Sequence, residues 1–384
     1  MNQQRIWAVA YKEWREILRD RLFFTLAFVV PTVLMLMFGY GLSLDVENIP
    51  MAVVDQDNTP QSRDYAYAFM GSRYFQYLGH LPGEAAVGPL LANGKLRMAL
   101  VIPAGFGKQL ASGRSAPVQT LMDGTFPSRA LVTRGYVDAI NSAFNQKQLA
   151  GLLAGKMALS QADAAKVVSP VRLEVRYLYN QSVASIWSLA PKLIMVILMM
   201  SPPFLTALGV VREKENGSIF NVYASNLSRG EFLVGKLAPY VGISLLNILL
   251  LWGLAVVVFG VPFKGSFLFY LLATLVYVLC TTGIGLVVSI LVRTQVSAMM
   301  VTAIVTMIPA VLYSGVLIPT SSLGHSAQWI AHALPAMYYT NIVVGCFLKG
   351  VGWSALWPEV LVLAGYACLL FAVGYTMLSK RPRS

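Results

Sequence analysis

The segment from Gly230 to Leu237 comes close to a motif that binds nucleotide phosphates. It reads GEFLVGKL, and the motif is G-x-x-x-x-G-K-[ST], in which backbone N–H groups cradle phosphate and the last hydroxyl holds Mg²⁺. Leu237 stands where that hydroxyl is required, and no candidate strand precedes Gly230. Lys236 leads directly into a long apolar run. We therefore interpret Lys236 as an anchor at a membrane interface and predict no nucleotide site in this segment.

Side chains that could act as nucleophiles, bases or metal ligands are few and scattered. The chain has three histidines and three cysteines, and we find no spacing typical of a metal site or of a nucleophile with its base. The cysteines all lie in apolar stretches, which favours small buried side chains: Cys280, Cys346 and Cys368. We predict that the chain has no catalytic residues, is not an enzyme, and binds no metal or cofactor directly.

The composition indicates a membrane protein. Of the 384 residues, 57% are hydrophobic and 12% are charged, about half the charged fraction of a soluble domain. A membrane-spanning helix needs about 20 mostly apolar residues. Six stretches satisfy this length, and we predict six transmembrane helices at roughly 22–44, 184–211, 233–260, 267–292, 296–318 and 356–378.

The distribution of Lys and Arg predicts the orientation. One side of the membrane would carry most of those in short loops and termini: Arg5, Lys12, Arg15, Arg19, Arg21, Arg212, Lys214, Arg229, Lys236, Arg293, Lys380, Arg381 and Arg383. The short loops on the other side carry Lys264 and Lys349. Because positively charged loops stay in the cytoplasm, we predict that both termini are cytoplasmic. The net charge of +12 is then mostly a topology signal and does not indicate a nucleic-acid partner.

Residues 1–21 are predicted to form an interfacial helix before the first span. Trp7, Tyr11, Trp14 and Leu18 recur at the spacing of one helix face. The cations lie largely off that face, where they can meet anionic membrane lipid: Arg5, Lys12, Arg15 and Arg19. The alternative is a cytoplasmic extension of the first span.

Residues 45–182 form a polar insertion between the first two predicted spans. Strand candidates at Pro50–Asp55, Met98–Ile102, Val118–Met122 and Val171–Leu178 alternate with helical patterns such as Arg129–Leu153, which predicts an α/β domain. The topology places this domain outside the cytoplasm. A second irregular stretch, 319–352, is broken by Pro and Gly, and we expect two short helices there that enter the membrane from outside without crossing it.

Residues 212–232 are predicted to be a cytoplasmic loop between spans 2 and 3. The alternating charges at its start, from Arg212 to Glu215, suit salt bridges with a partner's surface. The sequence GSIFNVYASN can form a short helix lying along the membrane surface. The alternative is a solvated loop that only sets the topology.

This loop resembles the corresponding loop of type-2 ABC export permeases. VVREKENGSIFNVYASNLSRGEFLVGKLAPY follows the pattern V-R-E-K-E-x-G-[TS] and then [ST]-R-x-E-[FL]-x-x-G-K-x-x-P-Y. MAVVDQDNTPQSR, ALVIPAGFGKQLASG and RYLYN resemble parts of the family's extracytoplasmic domain, and the order of spans also matches, so the resemblance covers essentially the whole chain. Two departures are Gln181, where the family has Pro, and Ser225-Asn226-Leu227 in place of Thr-Pro.

The resemblance implies a bacterial inner-membrane permease subunit of the multidrug-type subgroup. It would pair with a second copy or a paralogue and depend on a separate ABC ATPase that binds ATP and Mg²⁺. The loop would be a coupling helix docked on that ATPase, with Gly217 allowing a sharp bend and with Arg293 and the N-terminal helix flanking the interface. The implied ATPase-coupling residues are Arg212, Glu213, Lys214, Glu215, Gly217, Phe220, Arg229, Glu231 and Lys236. The resemblance also implies export of a drug- or lipid-like substrate, with a periplasmic adaptor as a further partner.

The spans themselves favour such a function over two alternatives. They hold almost no carboxylates or histidines, and this scarcity disfavours an ion-coupled transporter. The charged residues Glu359 and Lys192 lie near the outer ends of spans 6 and 2. A membrane-anchored scaffold or receptor does not account for the loop after span 2. We expect close helix contacts at Thr281, Gly285 and Ser289. Prolines predict kinks in spans 1, 2 and 5, of which spans 2 and 5 would line a path: Pro31, Pro191, Pro202, Pro203 and Pro309.

Overall fold

A computed structural model describes residues 3–42, 46–157, 160, 168, 176, 178–217 and 228–377. The chain divides into two units, one comprising Met1–Ser43 with Arg176–Ser384 and the other Leu44–Val175. The second unit is shorter than the predicted insertion 45–182, because the residues from Arg176 onward belong with the transmembrane helices. Lys264 holds part of that segment by donating a hydrogen bond from Nζ to the Tyr179 carbonyl at 3.0 Å.

In the described residues, six helices are long and apolar enough to cross a membrane. They are Arg21–Gly41, Ser185–Glu215, Arg229–Val258, Phe267–Leu291, Gln295–Tyr313 and Trp353–Met377, and we number them spans 1 to 6. The six predicted spans are thus confirmed, with ends that differ by a few residues. Within them, Thr25–Val29 and Leu254–Val258 are π-helical turns. An N-terminal helix, Gln3–Arg19, precedes span 1, and Asp20 caps the start of span 1 by accepting a hydrogen bond from the Leu22 N–H at 2.8 Å.

The loop between spans 2 and 3 is shorter than predicted. The helix of span 2 continues to Glu215, and that of span 3 begins at Arg229. Ser228 and Glu231 form a capping box at this start, each side chain accepting a hydrogen bond from the backbone N–H of the other. The predicted surface helix GSIFNVYASN lies almost entirely outside the described residues.

Span 2 is the central helix of the transmembrane unit. Of its most apolar window, 83% is buried, against 61% for span 4 and no more than 33% for the others. Span 4 packs against it at Gly285, where an added Cβ would lie 2.5 Å from the Pro203 carbonyl oxygen. Thr281 and Ser289, one turn away on either side, are fully buried. Small residues therefore let these two helices meet backbone to backbone.

Two short helices occupy the irregular stretch before span 6. They are His325–His332 and Pro335–Val344, followed by a π-helical turn at Gly345–Lys349, and the chain bends by 83° between the first helix and Pro335–Lys349. Thr320–Ser322 is a single 3₁₀ turn. Tyr339 fixes the second helix to span 4, because its ring stacks on Tyr277 at 4.0 Å and its hydroxyl donates to Thr274 Oγ1 at 3.0 Å. The entry of this stretch into the membrane stays a prediction.

The inserted unit contains a four-stranded sheet in the order β2-β1-β3-β4. The strands are β1, Ile49–Asp55; β2, Phe75–His80; β3, Met98–Ile102; and β4, Gln119–Met122. β1 pairs in parallel with β2 and β3, and β4 is antiparallel to β3. The helices are Pro60–Met70, Val87–Ala92, Phe106–Ala111 and Pro127–Met157, with a 3₁₀ turn at Glu84–Ala86. Three predicted strands are confirmed, β2 was not predicted, and most of Val171–Leu178 lies outside the described residues. The position of this unit outside the cytoplasm stays a prediction.

The acidic residues at the carboxyl end of β1 hold loops together. Asp57 accepts hydrogen bonds from the Gly105 and Gly107 N–H groups at 2.7 and 2.8 Å and from the Thr59 hydroxyl at 2.5 Å. These hydrogen bonds, that from Thr59 first, lower the pKa of Asp57 below its usual value. Asp55 accepts from the Ser62 hydroxyl at 2.7 Å. Both carboxylates are therefore occupied by structural contacts.

The contact between spans 2 and 4 predicts the effect of a larger residue at Gly285. Gly285→Val forces Pro203 away and should destabilise the protein by about 1–3 kcal/mol, as overpacking of a helix contact does. Gly253→Val is the matched control, because no atom lies within 4 Å of an added Cβ there. Thermal unfolding in detergent should show a lower midpoint for Gly285→Val alone. Equal midpoints for the two variants would contradict the packing described.

Candidate functional site at the carboxyl end of span 2

Four consecutive residues at the end of span 2 bond to different parts of the transmembrane unit. They are Arg212, Glu213, Lys214 and Glu215, which we call the span 2 hub. Their partners lie in the N-terminal helix, at the start of span 1, and in spans 3, 4 and 5. An α-helix has 3.6 residues per turn, so four consecutive side chains point in all directions around its end. A central helix that ends in four charges can thus hold five neighbouring segments.

The most buried part of the hub is a charge cluster around Lys236 of span 3. Lys236 Nζ lies 2.6 Å from Glu13 Oε1 and 3.0 Å from Glu213 Oε1. Lys12 Nζ donates to the same Glu213 oxygen at 2.9 Å, and Tyr240 Oη donates to Glu13 Oε2 at 3.0 Å. The side chains of Lys236, Glu13 and Glu213 are 2%, 3% and 7% exposed. The cluster joins the N-terminal helix, span 2 and span 3 in one place.

The charges in this cluster compensate one another. Two carboxylates face two ammonium groups, which is the arrangement that a buried ion pair needs if its attraction is to offset the loss of hydration. Burial raises the pKa of Glu13 above its usual value, although Lys236 and the Tyr240 hydroxyl act in the opposite direction. Removal of Lys236 would therefore leave Glu13 in surroundings that favour its protonated form.

Arg212 extends the network to the junction between the N-terminal helix and span 1. Its guanidinium donates to Asp20 Oδ2 at 2.5 Å and to Glu16 Oε2 at 3.3 Å. The same group lies over the ring of Phe23, with Cζ 4.9 Å from the ring centroid. The hub thereby fixes the turn at which the chain leaves the N-terminal helix and begins span 1.

Lys214 and Glu215 bond to the ends of spans 4 and 5. Lys214 Nζ donates to the carbonyl oxygens of Ser289 and Ile290 at 2.5 and 3.4 Å. Glu215 Oε2 accepts hydrogen bonds from the backbone N–H and the side-chain amide of Gln295 at 3.1 and 2.8 Å. A helix carries partial negative charge at its carboxyl terminus and partial positive charge at its amino terminus. The ammonium group of Lys214 and the carboxylate of Glu215 each meet the opposite sign, so both contacts are favourable.

Two glycines allow the helices of the cluster to approach closely. An added Cβ on Gly235 would lie 2.9 Å from both the Ile6 carbonyl oxygen and Val9 Cβ of the N-terminal helix. On Gly209 of span 2 it would lie 1.8 Å from the Tyr240 hydroxyl. Neither position has room for a side chain, so both glycines are needed for the charges to meet.

The near-miss phosphate motif is part of this packing. Gly230–Leu237 lies inside the helix of span 3, so its backbone does not form the loop that cradles phosphate. Gly235 contacts the N-terminal helix, and Lys236 bonds to Glu13 and Glu213. Our interpretation of Lys236 as an interfacial anchor is therefore wrong, because its ammonium group is buried among carboxylates of the same chain.

The implied ATPase-coupling residues, and Arg293 beside them, differ in whether they bond within the chain. Those bonded within the chain are Arg212, Glu213, Lys214, Glu215, Glu231 and Lys236. Arg229 and Arg293 have no ion-pair partner among the described residues, and Arg293 is exposed. Gly217 has φ 72° directly after the helix of span 2, a conformation that favours glycine. Phe220 lies outside the described residues. Contact of any of these residues with an ATPase stays a prediction.

The N-terminal helix has two different faces. Trp7 and Tyr11 are 71% and 52% exposed, Trp14 is half-buried, and Arg15 is exposed with its guanidinium 5.8 Å from the Tyr11 ring centroid. The face that packs on the protein carries Glu13 and other side chains that sequence reasoning missed: Ile6, Val9 and Ile17. Their spacing of three and four residues was the available signal, with Glu13 as a carboxylate inside an otherwise apolar stripe. Interfacial placement of the aromatic face stays a prediction.

Comparison with known proteins identifies the family. The sequence model described as ABC-2 family transporter protein matches residues 22–376 of this chain. The chain belongs to the ABC-2 transporter family. The resemblance inferred from the loop after span 2 is thereby confirmed, and the chain is a permease subunit of an ABC-2 type transporter. Such subunits are integral membrane proteins, in agreement with the six spans.

Individual relatives match along nearly the full length. The probable multidrug ABC transporter permease YbhS of Escherichia coli K12 is 27% identical over 385 residues, which cover 100% of this chain and 98% of the relative. The probable multidrug ABC transporter permease YbhR of the same organism is 25% identical, over 96% and 98% of the two chains. The ABC transporter G family member 20 of Dictyostelium discoideum is 21% identical over 98% of this chain and 51% of its own length. By homology the ABC-2 permease is of the multidrug type.

The charge cluster predicts a large loss of stability on removal of Lys236. Lys236→Met leaves Glu13 and Glu213 short of a buried positive charge, and breaking such a network costs roughly 3–5 kcal/mol. Arg229→Met, at the start of the same helix, is the control and should have little effect. Thermal unfolding of the purified ABC-2 permease in detergent measures the difference. Lys236→Met with Glu13→Gln should recover part of the loss, and no recovery would contradict the pairing.

The loss of stability in Lys236→Met should depend on pH in a defined direction. A carboxyl whose pKa is raised in the folded protein contributes stability at low pH and loses it as the pH rises through the raised pKa. Without Lys236 its lowering effect is lost and the pKa of Glu13 rises further, so the deficit of Lys236→Met should be smaller at pH 5 than at pH 8. Adding Glu13→Gln should flatten that dependence. A deficit that grows on acidification would contradict this account.

Proposed function

We propose that this ABC-2 permease is driven by ATP hydrolysis on a separate nucleotide-binding partner, and that it exports an amphipathic drug- or lipid-like substrate. The partner would bind the loop at 216–228 and supply the ATP and Mg²⁺ site, and a second permease copy or a paralogue would complete the transporter. The observation that carries this proposal is the span 2 hub. It lies directly before that loop and connects to five segments of the transmembrane unit through hydrogen bonds and ion pairs.

The hub is suited to transmit movement of the loop. A force on the chain after Gly217 acts first on the end of span 2, and the buried ion pairs resist separation from the N-terminal helix and span 3. Span 2 has the most buried apolar window of the six spans, so a displacement of its end would move its neighbours as well. The coupling residues thus divide by role in this proposal, with Glu213 and Lys236 passing movement on inside the permease.

Two cations beside the hub, the half-buried Arg229 and the exposed Arg293, are the candidates for contact with the partner. Arg229 lies at the start of span 3, and Arg293 lies between the ends of spans 4 and 5, next to the partners of Lys214 and Glu215. In the described residues neither has an ion-pair partner, so both are available to acidic groups on another protein. This placement supports a docking face around the loop, with the N-terminal helix at its side.

The spans support an apolar substrate. Their apolar windows average between 2.0 and 2.5 in hydropathy and contain at most two charged residues each. Lys192 is half-buried near the start of span 2, where its Nζ lies 3.5 Å from the Val316 carbonyl oxygen. Relatives are named as probable multidrug permeases. Together with the resemblance to export permeases, these features favour outward movement of drug- or lipid-like molecules across a bacterial inner membrane, with both termini cytoplasmic and the inserted unit outside.

Pairing with a second permease is supported by the surface of span 5. Its four most exposed apolar side chains recur every four positions: Val296, Met300, Ile304 and Ile308. Such a surface needs lipid or another protein against it. In our proposal the second copy covers it, and spans 2 and 5 of both copies line the path. The alternative, a membrane-anchored scaffold without transport, leaves the hub and its loop without a role.

The bend at Gly217 provides a test of ATP coupling. Proline fixes φ near −65°, so Gly217→Pro is incompatible with the observed φ of 72° and should reorient the loop that follows span 2. The tagged permease would be isolated from native membranes in mild detergent and assayed for ATP hydrolysis. We expect an ATPase to co-purify with the unaltered permease and to be lost from Gly217→Pro, or to hydrolyse ATP without transport.

Gly260→Pro is the matched control, because Gly260 also has positive φ, 62°, and lies in the loop between spans 3 and 4, on the side away from the hub. It should keep the ATPase. If the well-folded unaltered permease brings down no ATPase, the coupling proposal fails and the scaffold alternative gains support. If both variants lose it equally, the loss reflects general destabilisation and contradicts a specific role for the bend.

A further inference from the structure

An open cleft lies where the N-terminal helix meets span 1. Its volume is about 490 Å³, and it is lined by Arg15, Glu16, Arg19, Asp20, Arg21 and Arg212. The cleft is next to the span 2 hub, because Arg212 belongs to both. The sequence predicts only that Arg15 and Arg19 can meet anionic membrane lipid in general, without a defined site, and no contact proposed above uses Arg21.

The cleft has an excess of positive charge. Four guanidinium groups face two carboxylates, and both carboxylates already bond to Arg212. Among the described residues, no carboxylate lies within 4.0 Å of a side-chain nitrogen of Arg15, Arg19 or Arg21. All three are exposed. Their hydrogen-bond donors are therefore free to converge on an anion.

Guanidinium groups select the chemistry of that anion. Arginine presents planar, paired N–H donors that match the oxygens of a phosphate, and it is weakly hydrated for a cation. A phosphodiester with a small polar headgroup fits a cleft of this size and charge. A metal cation does not, because the carboxylates are already paired and the local charge is positive.

The surroundings indicate that the phosphate belongs to a lipid. Leu18 and Leu22, which neighbour the arginines in sequence, are 52% and 50% exposed, and Trp7 and Tyr11 are exposed on the same N-terminal helix. Aromatic side chains favour the headgroup region of a membrane, and exposed leucines can contact acyl chains. We propose that this cleft binds the phosphate of an anionic phospholipid in the leaflet on which the N-terminal helix lies.

This binding would connect membrane composition with the hub. Glu16 and Asp20 hold Arg212 from the walls of the cleft, so a headgroup bound there would contact the same turn that the hub fixes. The predicted orientation places the cleft at the cytoplasmic leaflet, which is rich in anionic lipid. Lipid binding in this cleft requires neither the transported substrate nor the ATPase.

Native mass spectrometry of the full-length permease in mild detergent tests the proposal. The protein would be titrated with phosphatidylglycerol and, separately, with phosphatidylcholine of the same acyl chains. We expect phosphatidylglycerol to bind more tightly, and a variant with Arg15, Arg19 and Arg21 all changed to Gln to lose that preference. Its affinity should fall on the order of a hundredfold, because each of the three basic residues near an anionic surface contributes roughly 1 kcal/mol. Retention of a monodisperse elution profile shows that the variant is folded.

The control variant removes the same number of charges from the inserted unit, with Arg63, Arg114 and Arg134 changed to Gln, and should bind phosphatidylglycerol normally. Inorganic phosphate should not displace the lipid at millimolar concentration, and displacement would mean a soluble anion site instead. Equal binding of the two lipids to the unaltered permease would overturn the proposal. So would an equal loss in the control variant. Loss of a co-purified ATPase with unchanged lipid binding would assign the cleft to an acidic protein surface instead.

Discussion

The structure around the proposed coupling loop depends on one ammonium group, that of Lys236, held between two carboxylates from distant parts of the sequence. Glu13 comes from the N-terminal helix and Glu213 from the end of span 2, and both are within 3.0 Å of it. A buried charge requires compensation, so these three side chains constrain the positions of the helices that carry them. Gly209 and Gly235 let these helices approach closely enough for the charges to meet, and the capping box at Ser228 stabilises the start of span 3.

The contact explains why the charges at the end of span 2 alternate in sign. Arg212 faces carboxylates, Glu213 faces amines, Lys214 meets the carbonyl end of span 4, and Glu215 meets the amino end of span 5. Each sign follows from the neighbour in that direction around the helix. The alternation first suggested salt bridges with a partner protein. In this ABC-2 permease the alternating charges bond within the subunit, and among the described residues the half-buried Arg229 and the exposed Arg293 keep no ion-pair partner.

The sequence predicted those features that depend on local composition. Length and apolar content were sufficient for the six spans, and β-branched runs were sufficient for β1 and β3. β2 was missed because only Phe75 of that edge strand is buried, which leaves no alternating pattern. The partners of Lys236 were missed because Glu13 is 223 positions away, and no local pattern reports a contact between such distant residues. Family resemblance indicated which loop matters without indicating what its charges touch.

We propose that the N-terminal helix, the end of span 2 and span 3 move as one body, held by Lys236. Pulsed electron spin resonance between labels at the exposed positions Tyr11 and Val234, in a cysteine-free background, measures this most directly. We predict one narrow distance distribution that is the same with and without ATP in the complex with its ATPase, and a broad distribution in Lys236→Met. A distance that shifts with ATP in the unaltered cluster, or that stays narrow without Lys236, would contradict the claim.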